Sequence, residues 1–217
     1  MLDIMEGKKG LIIGVANERS IAWGIAKVLA EHGAELAITY QTESFERRVR
    51  PLAESIGSKL ILPADVQNES SLDNLFDCLE TKWGKIDFLV HAIAYSDKDE
   101  LIGRFINTSR KNFLNSLDIS CFSLVDLSNR VVRLMQDGGS ILTLTYMGSQ
   151  RVTPNYNVMG VAKAALESSV RYLANDLGRQ GITVNAISPG PMKTLAGAAI
   201  GGARTVYRTA EANSPLK

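Results

Sequence analysis

Short apolar runs alternate along this chain with longer stretches in which apolar residues recur at helical spacing. GLIIGV (Gly10 to Val15), ELAITY (Glu35 to Tyr40), KLIL (Lys59 to Leu62), IDFLVHAIA (Ile86 to Ala94), SILTLT (Ser140 to Thr145) and ITVNAIS (Ile182 to Ser188) are β-branched or almost continuously apolar. Strands read this way when both faces of their sheet are covered. Between the first two runs, Ile21, Ile25, Val28 and Leu29 fall on one helical face, with Ser20 placed as an N-cap and Gly33 as the residue that stops the helix. Run, helix, run is a βαβ unit. Its repetition, without internal repeat or low-complexity linker, predicts a single α/β domain over residues 1–217: a doubly wound parallel sheet with right-handed crossovers and helices on both faces.

Composition narrows the function classes. With 217 residues, 45% apolar and 22% charged, the chain can bury a substantial core and carries no sign of disorder. A formal net charge of +1 supplies no cationic field for broad nucleic-acid or membrane-surface binding. Nowhere do about 18 apolar residues run together, so neither a signal peptide nor membrane insertion is expected. Cys78 and Cys121 lie far apart without metal-type spacing, which predicts free thiols in a reducing, cytoplasmic setting and no metal site.

In sheets of this kind ligands settle beyond the carboxyl ends of the strands. The first tip reads GVANERSIAWG: Gly14 leaves the strand, Ser20 opens the helix, and Gly24 stands where a missing side chain would let helix and strand approach. A pyrophosphate fits on that helix N-terminus. The strict G-x-G-x-x-G fingerprint is absent, and a purely structural βα turn fits equally well. The second tip ends in Tyr40 and Gln41, a neutral amide where dinucleotide binders place an acid, and Glu43 is a candidate helix cap. After the third run, Asp65 suits either an adenine amino group or a turn. His91, at the end of the fourth run, reads as a satisfied structural residue rather than a base, and His32 likewise.

The stretch TYMGSQRVTPNYNVMGVAK, Thr145 to Lys163, carries the most chemistry. Tyr146 follows the fifth run at the ligand-binding edge, and Pro154-Asn155 precedes a helix whose buried face is marked by Ala162, Leu166, Val170, Leu173 and Leu177. Tyr156 and Lys163 are two turns apart, about 10.5 Å along the axis, on nearly the same face. A phenol beside an ammonium is made more acidic, and the ammonium also binds a ribose diol, which suits proton handling beside a nicotinamide. An aromatic packing pair with a solvated lysine is the plainer alternative.

These residues resemble the divergent branch of the short-chain dehydrogenases/reductases, the NADH-dependent enoyl-[acyl-carrier-protein] reductases of bacterial type II fatty-acid synthesis. Ordinary members of that superfamily carry Tyr-x-x-x-Lys; here the fourth position is Gly160, and Tyr156, Met159 and Lys163 instead spell Tyr-x-x-Met-x-x-x-Lys. The loop Gly14 to Gly24, LTYMG with Tyr146 in place of the usual serine, HAIAY, PNYNVMG and SPGPMKTLA are further matches, and the likeness covers essentially the whole chain. It implies a Rossmann-like fold and NAD as cofactor. Gly14, Ser20 and Ile21 would hold the pyrophosphate side, Gln41 would lie near the adenosine ribose, and Asp65 with Val66 would flank adenine. Ile93 would back the cofactor, Lys163 would grip the nicotinamide ribose, and Met192, Lys193, Thr194, Leu195 and Ala196 would line the nicotinamide and pyrophosphate. Tyr146 and Tyr156 would act in catalysis and, with Ser96, Met159 and Ile200, contact the substrate. Ser96 matches a position that is often Ala in the family, and Ala94 one that is Gly in some relatives.

The implied reaction is hydride transfer from NADH to carbon three of a trans-2-enoyl thioester on an acyl-carrier protein, followed by protonation at carbon two. A homotetramer without nucleic-acid or membrane partners is implied as well. A ketoreductase of the same superfamily fits less well, because Thr143 only loosely replaces its serine, and a nucleotide sensor is disfavoured by the intact Tyr/Lys pair. Thr194 to Tyr207 reads as a mobile substrate lid, with Arg204 and Arg208 facing an acidic carrier. The family pattern continues for another helix and a seventh strand, so a C-terminal strand is missing and Lys217 is expected not to be the natural end.

Overall fold

Apolar runs with no polar side of their own need cover on both faces, and the computed structural model, which describes residues 3–195, 197 and 203–216, gives it to them. Among the described residues, β1 (Lys9–Ile13), β2 (Glu35–Tyr40), β3 (Leu60–Pro63), β4 (Phe88–His91), β5 (Gly139–Leu144) and β6 (Ile182–Ile187) form one parallel sheet in the order β3-β2-β1-β4-β5-β6. The expected doubly wound, Rossmann-like sheet is therefore present, and its strand order reverses between β1 and β4, where such folds open a ligand crevice.

Alternation along each strand sorts the core into two layers. Ile12 of β1 and Ile38 of β2 pack with Ala22, Trp23 and Ala26 of α1 (Ile21–Glu31) and Val49 and Ala53 of α2 (Glu43–Ser55). Leu11 and Ile13 face the other way, onto Leu72, Phe76 and Leu79 of α3 (Glu69–Trp83), Leu124 and Leu127 of α5 (Ser123–Val132), and Leu166 of α6 (Asn157–Leu177). Each fully buried Leu or Phe contributes about 1.5–3 kcal/mol relative to exposure. Between α4 (Arg110–Leu117) and α5 the helix passes through a π turn, Asp118–Phe122. A last helix, α7 (Ala203–Asn213), follows the loop after β6.

Several boundaries differ from the sequence expectation, each for a local reason. β1 stops at Ile13, where Gly14 turns to φ +110, and β4 stops at His91, after which Ala92 makes one more backbone bond to Ile13 and the chain from Tyr95 on is held by side chains. Gly24 does not bring helix and strand together: it is exposed, with open space around its missing side chain. Ser20 is the N-cap residue of α1, but its hydroxyl accepts from Ala16 N–H (3.0 Å) and Asn17 N–H (3.1 Å) and so curls the preceding loop instead of capping the helix. Thr42, not Glu43, is the N-cap residue of α2, and Glu43 pairs with Arg47 at 3.1 Å. Cys78 and Cys121 are free.

Candidate active site

Beyond the carboxyl ends of the strands lies a cavity of about 850 Å³. Gly14, Ser20 and Ile21 line it from the β1–α1 turn, and Gln41, Asp65 and Val66 from the tips of β2 and β3. Ile93 and Ser96 enter from the chain after β4, Met159 and Lys163 from α6, and Met192, Thr194 and Leu195 from the loop after β6. Lys193 is exposed and outside that lining. Ala196, Ile200 and Lys217 lie outside the described residues, as does the side chain of Arg204.

Tyr156 stands one residue before α6 rather than within it, between Asn155 (φ 58) and Asn157 (φ 32). Asparagine is among the few side chains that tolerate this left-handed backbone, which gives PNYNVMG a geometric reason. Asn157 also donates to the Glu100 carbonyl at 3.1 Å, fastening the helix start to the loop before α4. The Tyr156 ring lies over Gly148, where a Cβ would come within 2.5 Å of the ring, and it meets the Tyr146 ring edge-on at 5.2 Å between centroids. A Cβ on Gly160 would stand 2.8 Å from the Gly148 carbonyl oxygen, so no lysine fits at the position where ordinary superfamily members carry it.

Lys163 is 5% exposed, and its ammonium donates to the Leu144 carbonyl at 2.7 Å. Burial pushes the Lys163 ammonium down to about 8. The Tyr156 phenol moves opposite to the sequence expectation. Burial, and next the neighbouring Tyr146, raise its pKa above the ordinary tyrosine value, and the Lys163 ammonium, bonded to the Leu144 carbonyl, does not offset them. In this state the tyrosine is a firmly protonated hydrogen-bond donor.

His91 is satisfied on both sides, as expected of a structural histidine. The Ser123 hydroxyl spends its proton on the Ile119 carbonyl (2.7 Å), so His91 Nε2–H donates to Ser123 (2.8 Å) and Nδ1 accepts from Thr143 (2.8 Å). Full burial, reinforced by the charge of Lys163, holds this imidazole neutral, with its pKa lowered to about 3. Thr143, 1% exposed and bonded to His91, has no hydroxyl to offer a carbonyl substrate, which removes the ketoreductase reading. Asp65 serves as a turn residue, accepting from Gln67 N–H at 3.1 Å, and also takes a bond from Gln41 at 3.4 Å.

The sequence reading missed the polar spine beneath the site. Asn112, Ser116 and Ser120, at i, i+4 and i+8 and all buried, grip the chain after β4. Ser120 exchanges bonds with both the N–H (3.0 Å) and C=O (3.1 Å) of Tyr95, Ser116 donates to the Ser96 hydroxyl (2.9 Å), and Asn112 accepts from Asp97 N–H (2.9 Å). The signal was present as three small polar residues on what would otherwise be a buried helix face. Across the mouth, Tyr207 of α7, at the end of the segment expected to act as a lid, donates to the Met192 carbonyl at 2.9 Å; residues 196 and 198–202 of that segment lie outside the described residues.

The comparisons with known proteins agree with this geometry. A family model described as Enoyl-(Acyl carrier protein) reductase matches residues 14–217. Enoyl-[acyl-carrier-protein] reductase [NADH] 1 of Rhizobium meliloti is 59% identical over 99% of this chain and 79% of its own length. The crystal structure of FabI from Candidatus Liberibacter asiaticus is similar at a TM-score of 0.97 and 52% identity, over 100% of this chain and 84% of that one. The enoyl-(acyl-carrier-protein) reductase of Anaplasma phagocytophilum, solved in complex with NAD, gives 0.95 and 55%, over 100% and 82%. This chain belongs to the family of the NADH-dependent enoyl-[acyl-carrier-protein] reductases.

Proposed function

We propose that this chain reduces trans-2-enoyl-[acyl-carrier-protein] to the saturated acyl thioester with NADH, in bacterial fatty-acid synthesis, and that Tyr156 and Lys163 carry the chemistry from the protein side. The observation that supports it best is the buried lysine of α6 facing one cavity with a buried tyrosine whose phenol stays protonated. The residues present fit a dinucleotide. At Gly14 any Cβ would occupy the space of the Ala92 carbonyl, leaving a cradle only glycine provides, and the first turn of α1 carries no acidic side chain to compete for a pyrophosphate. Bound NADH supplies the hydride. Lys163 would hold the ribose end and Tyr156, itself only 7% exposed, would donate to the thioester oxygen as negative charge develops there. Ser96 has its hydroxyl tied to Ser116 and Asn112, so it shapes the acyl wall rather than reaching for substrate. Mixing protein, NADH and an enoyl thioester and following nicotinamide absorbance tests the whole reading; no oxidation of NADH would end it.

NADH is expected to be preferred over NADPH by about tenfold or more in kcat/KM, equivalent to at least about 1.4 kcal/mol. Gln41 is neutral and bonded to the Asp65 carboxylate, and Arg47 pairs with Glu43, so a 2′-phosphate at the β2 tip would meet an acid, while Arg48, exposed on α2, does not line the cavity. A measured preference for NADPH would sink this assignment.

A pH profile follows from Lys163. In the free enzyme its ammonium loses its proton as pH rises through about 8, and with it a charged donor for the ribose. The kcat/KM for NADH, which reports the free enzyme, is therefore expected to fall on the alkaline side from near that pH. Tyr156 titrates higher and does not mask the limb. A flat profile through that region would contradict the assignment.

We further propose a homotetrameric, cytoplasmic enzyme that meets an acyl-carrier protein. The apolar side chains Ile102, Phe105, Ile106, Leu114 and Phe122 are exposed along the segment leading into and through α4, which supports burial in an assembly. Arg208 is exposed on α7, beside the cavity mouth marked by Tyr207, as docking of an acidic carrier requires.

A further inference from the structure

The helix that carries Lys163 holds the loop of Tyr146 at more than one point. Lys163 takes the Leu144 carbonyl. One turn further along α6, a single carboxylate oxygen, Oε1 of Glu167, accepts from the Thr145 hydroxyl at 2.7 Å and from the Ser149 hydroxyl at 2.5 Å. Leu144 and Thr145 lie immediately before Tyr146, and Ser149 lies three residues after it. The short loop between them is otherwise held by backbone bonds of its own, Ser149 N–H to the Tyr146 carbonyl and Gln150 N–H to that of Met147. Glu167 is thus a side-chain tie from the helix to both flanks of Tyr146. Burial pushes its pKa up, but the side-chain bonds from Ser149, Thr145 and Gln150, with the charge of Arg171, outweigh it, so its pKa lies below the ordinary glutamate value.

We propose that Glu167 is a positioning residue for enoyl reduction: by binding Thr145 and Ser149 it fixes the loop of Tyr146 against the helix of Lys163, and so sets the edge-on contact of Tyr146 with Tyr156. The inference rests on the reading of Tyr156 and Lys163 as the groups that face the reacting thioester. The tie has little slack. One edge of the Tyr156 ring abuts Gly148, Gly160 admits nothing larger against the same loop, and Tyr146, also beside Gly148, meets the Tyr156 ring edge-on, so movement of the loop moves the phenol. Displacements of about 1 Å at a reacting group cost up to about 10²-fold in rate.

The test uses the purified protein with NADH and an enoyl thioester. Glu167→Ala is expected to lower kcat by about tenfold or more, with the NADH dissociation constant, read from nicotinamide fluorescence, within about threefold, because the adenine and pyrophosphate sides of the cavity belong to the β1–β3 loops. Glu167→Gln is expected to recover most of that loss, since the amide oxygen still accepts two hydroxyl bonds. The pair Thr145→Val with Ser149→Ala is expected to repeat most of the loss, and adding Glu167→Ala to it to cost only the small remainder carried by the Gln150 side chain. If Glu167→Ala does not fold, the Thr145/Ser149 pair and Glu167→Gln carry the test. The proposal is overturned if Glu167→Ala keeps its kcat, if Gln is as damaging as Ala, or if the loss appears in NADH binding instead of kcat. Failure of the underlying catalytic reading looks different: full turnover in Tyr156→Phe, whatever Glu167 does.

Discussion

Replacing Lys163 by methionine is expected to cut kcat/KM for enoyl reduction by on the order of 10³-fold while leaving the fold intact. The side chain is 5% exposed, and its ammonium is held by one backbone carbonyl in a pocket whose burial already disfavours the charge. Methionine fills nearly the same volume without a charge to desolvate, so stability should stay within about 1 kcal/mol and the melting midpoint within a few degrees. On the proposed assignment, what disappears is the cationic donor to the ribose. The loss should therefore enter KM for NADH as well as kcat, whereas Tyr156→Phe, which removes a donor to the thioester oxygen, should lower kcat by on the order of 10²-fold with NADH binding unchanged. Steady-state kinetics with unfolding curves separate the cases. Full turnover by Lys163→Met would remove the lysine from the mechanism.

How much of this site was legible in the chain depends on which interactions are local. The βαβ alternation and the tips of β1 to β3 came from runs and turn residues that act within a few positions, and Gly14, Ser20, Ile21, Gln41, Asp65 and Val66 of those tips line the cavity. His91 was legible for the same reason: a polar residue closing an apolar run needs partners, and Thr143 and Ser123 supply them. The Tyr156–Lys163 spacing was legible as geometry but not as electrostatics. Helical periodicity placed both residues at one cavity, yet whether the ammonium points at the phenol or at the Leu144 carbonyl depends on where β5 ends relative to α6, a contact across 19 residues of sequence. The opposite shifts of the phenol and the ammonium follow from that burial. The partners of the Asn112, Ser116 and Ser120 spine, and the Glu167 tie, were not legible for a similar reason. Serine and glutamate on a helix are ordinarily solvated, and only the packed loop turns them into substitutes for missing backbone partners. Gly24 was misread because a motif position was given the reason it has in another fingerprint, whereas here it sits on open solvent.

That contrast between two glycines of one loop supplies the other large effect. Gly14→Ala is expected to destabilise the protein by about 3–5 kcal/mol, lowering the melting midpoint by roughly 10 °C, and to weaken NADH binding by about tenfold or more. Gly14 has φ +110, where a side chain is strained regardless of space, and its Cβ would stand 2.1 Å from the Ala92 carbonyl oxygen and 2.6 Å from the carbonyl carbon. Both are backbone atoms, fixed because Ala92 N–H bonds the Ile13 carbonyl at 2.9 Å and continues the β1–β4 pairing. Relief of the clash has to push the chain after His91 away from β1, and Ala92, Ile93 and Ala94 on that chain line the cofactor side of the cavity. Stability and NADH affinity should therefore fall together. Gly24→Ala is the matched control: that position is helical and open, so alanine should be neutral or stabilise by up to about 1 kcal/mol without touching NADH affinity. Thermal unfolding and NADH titration of the two variants give the comparison. Equal, small effects at both positions would mean that the close passage of β1 past Ala92 does not hold the cradle in shape.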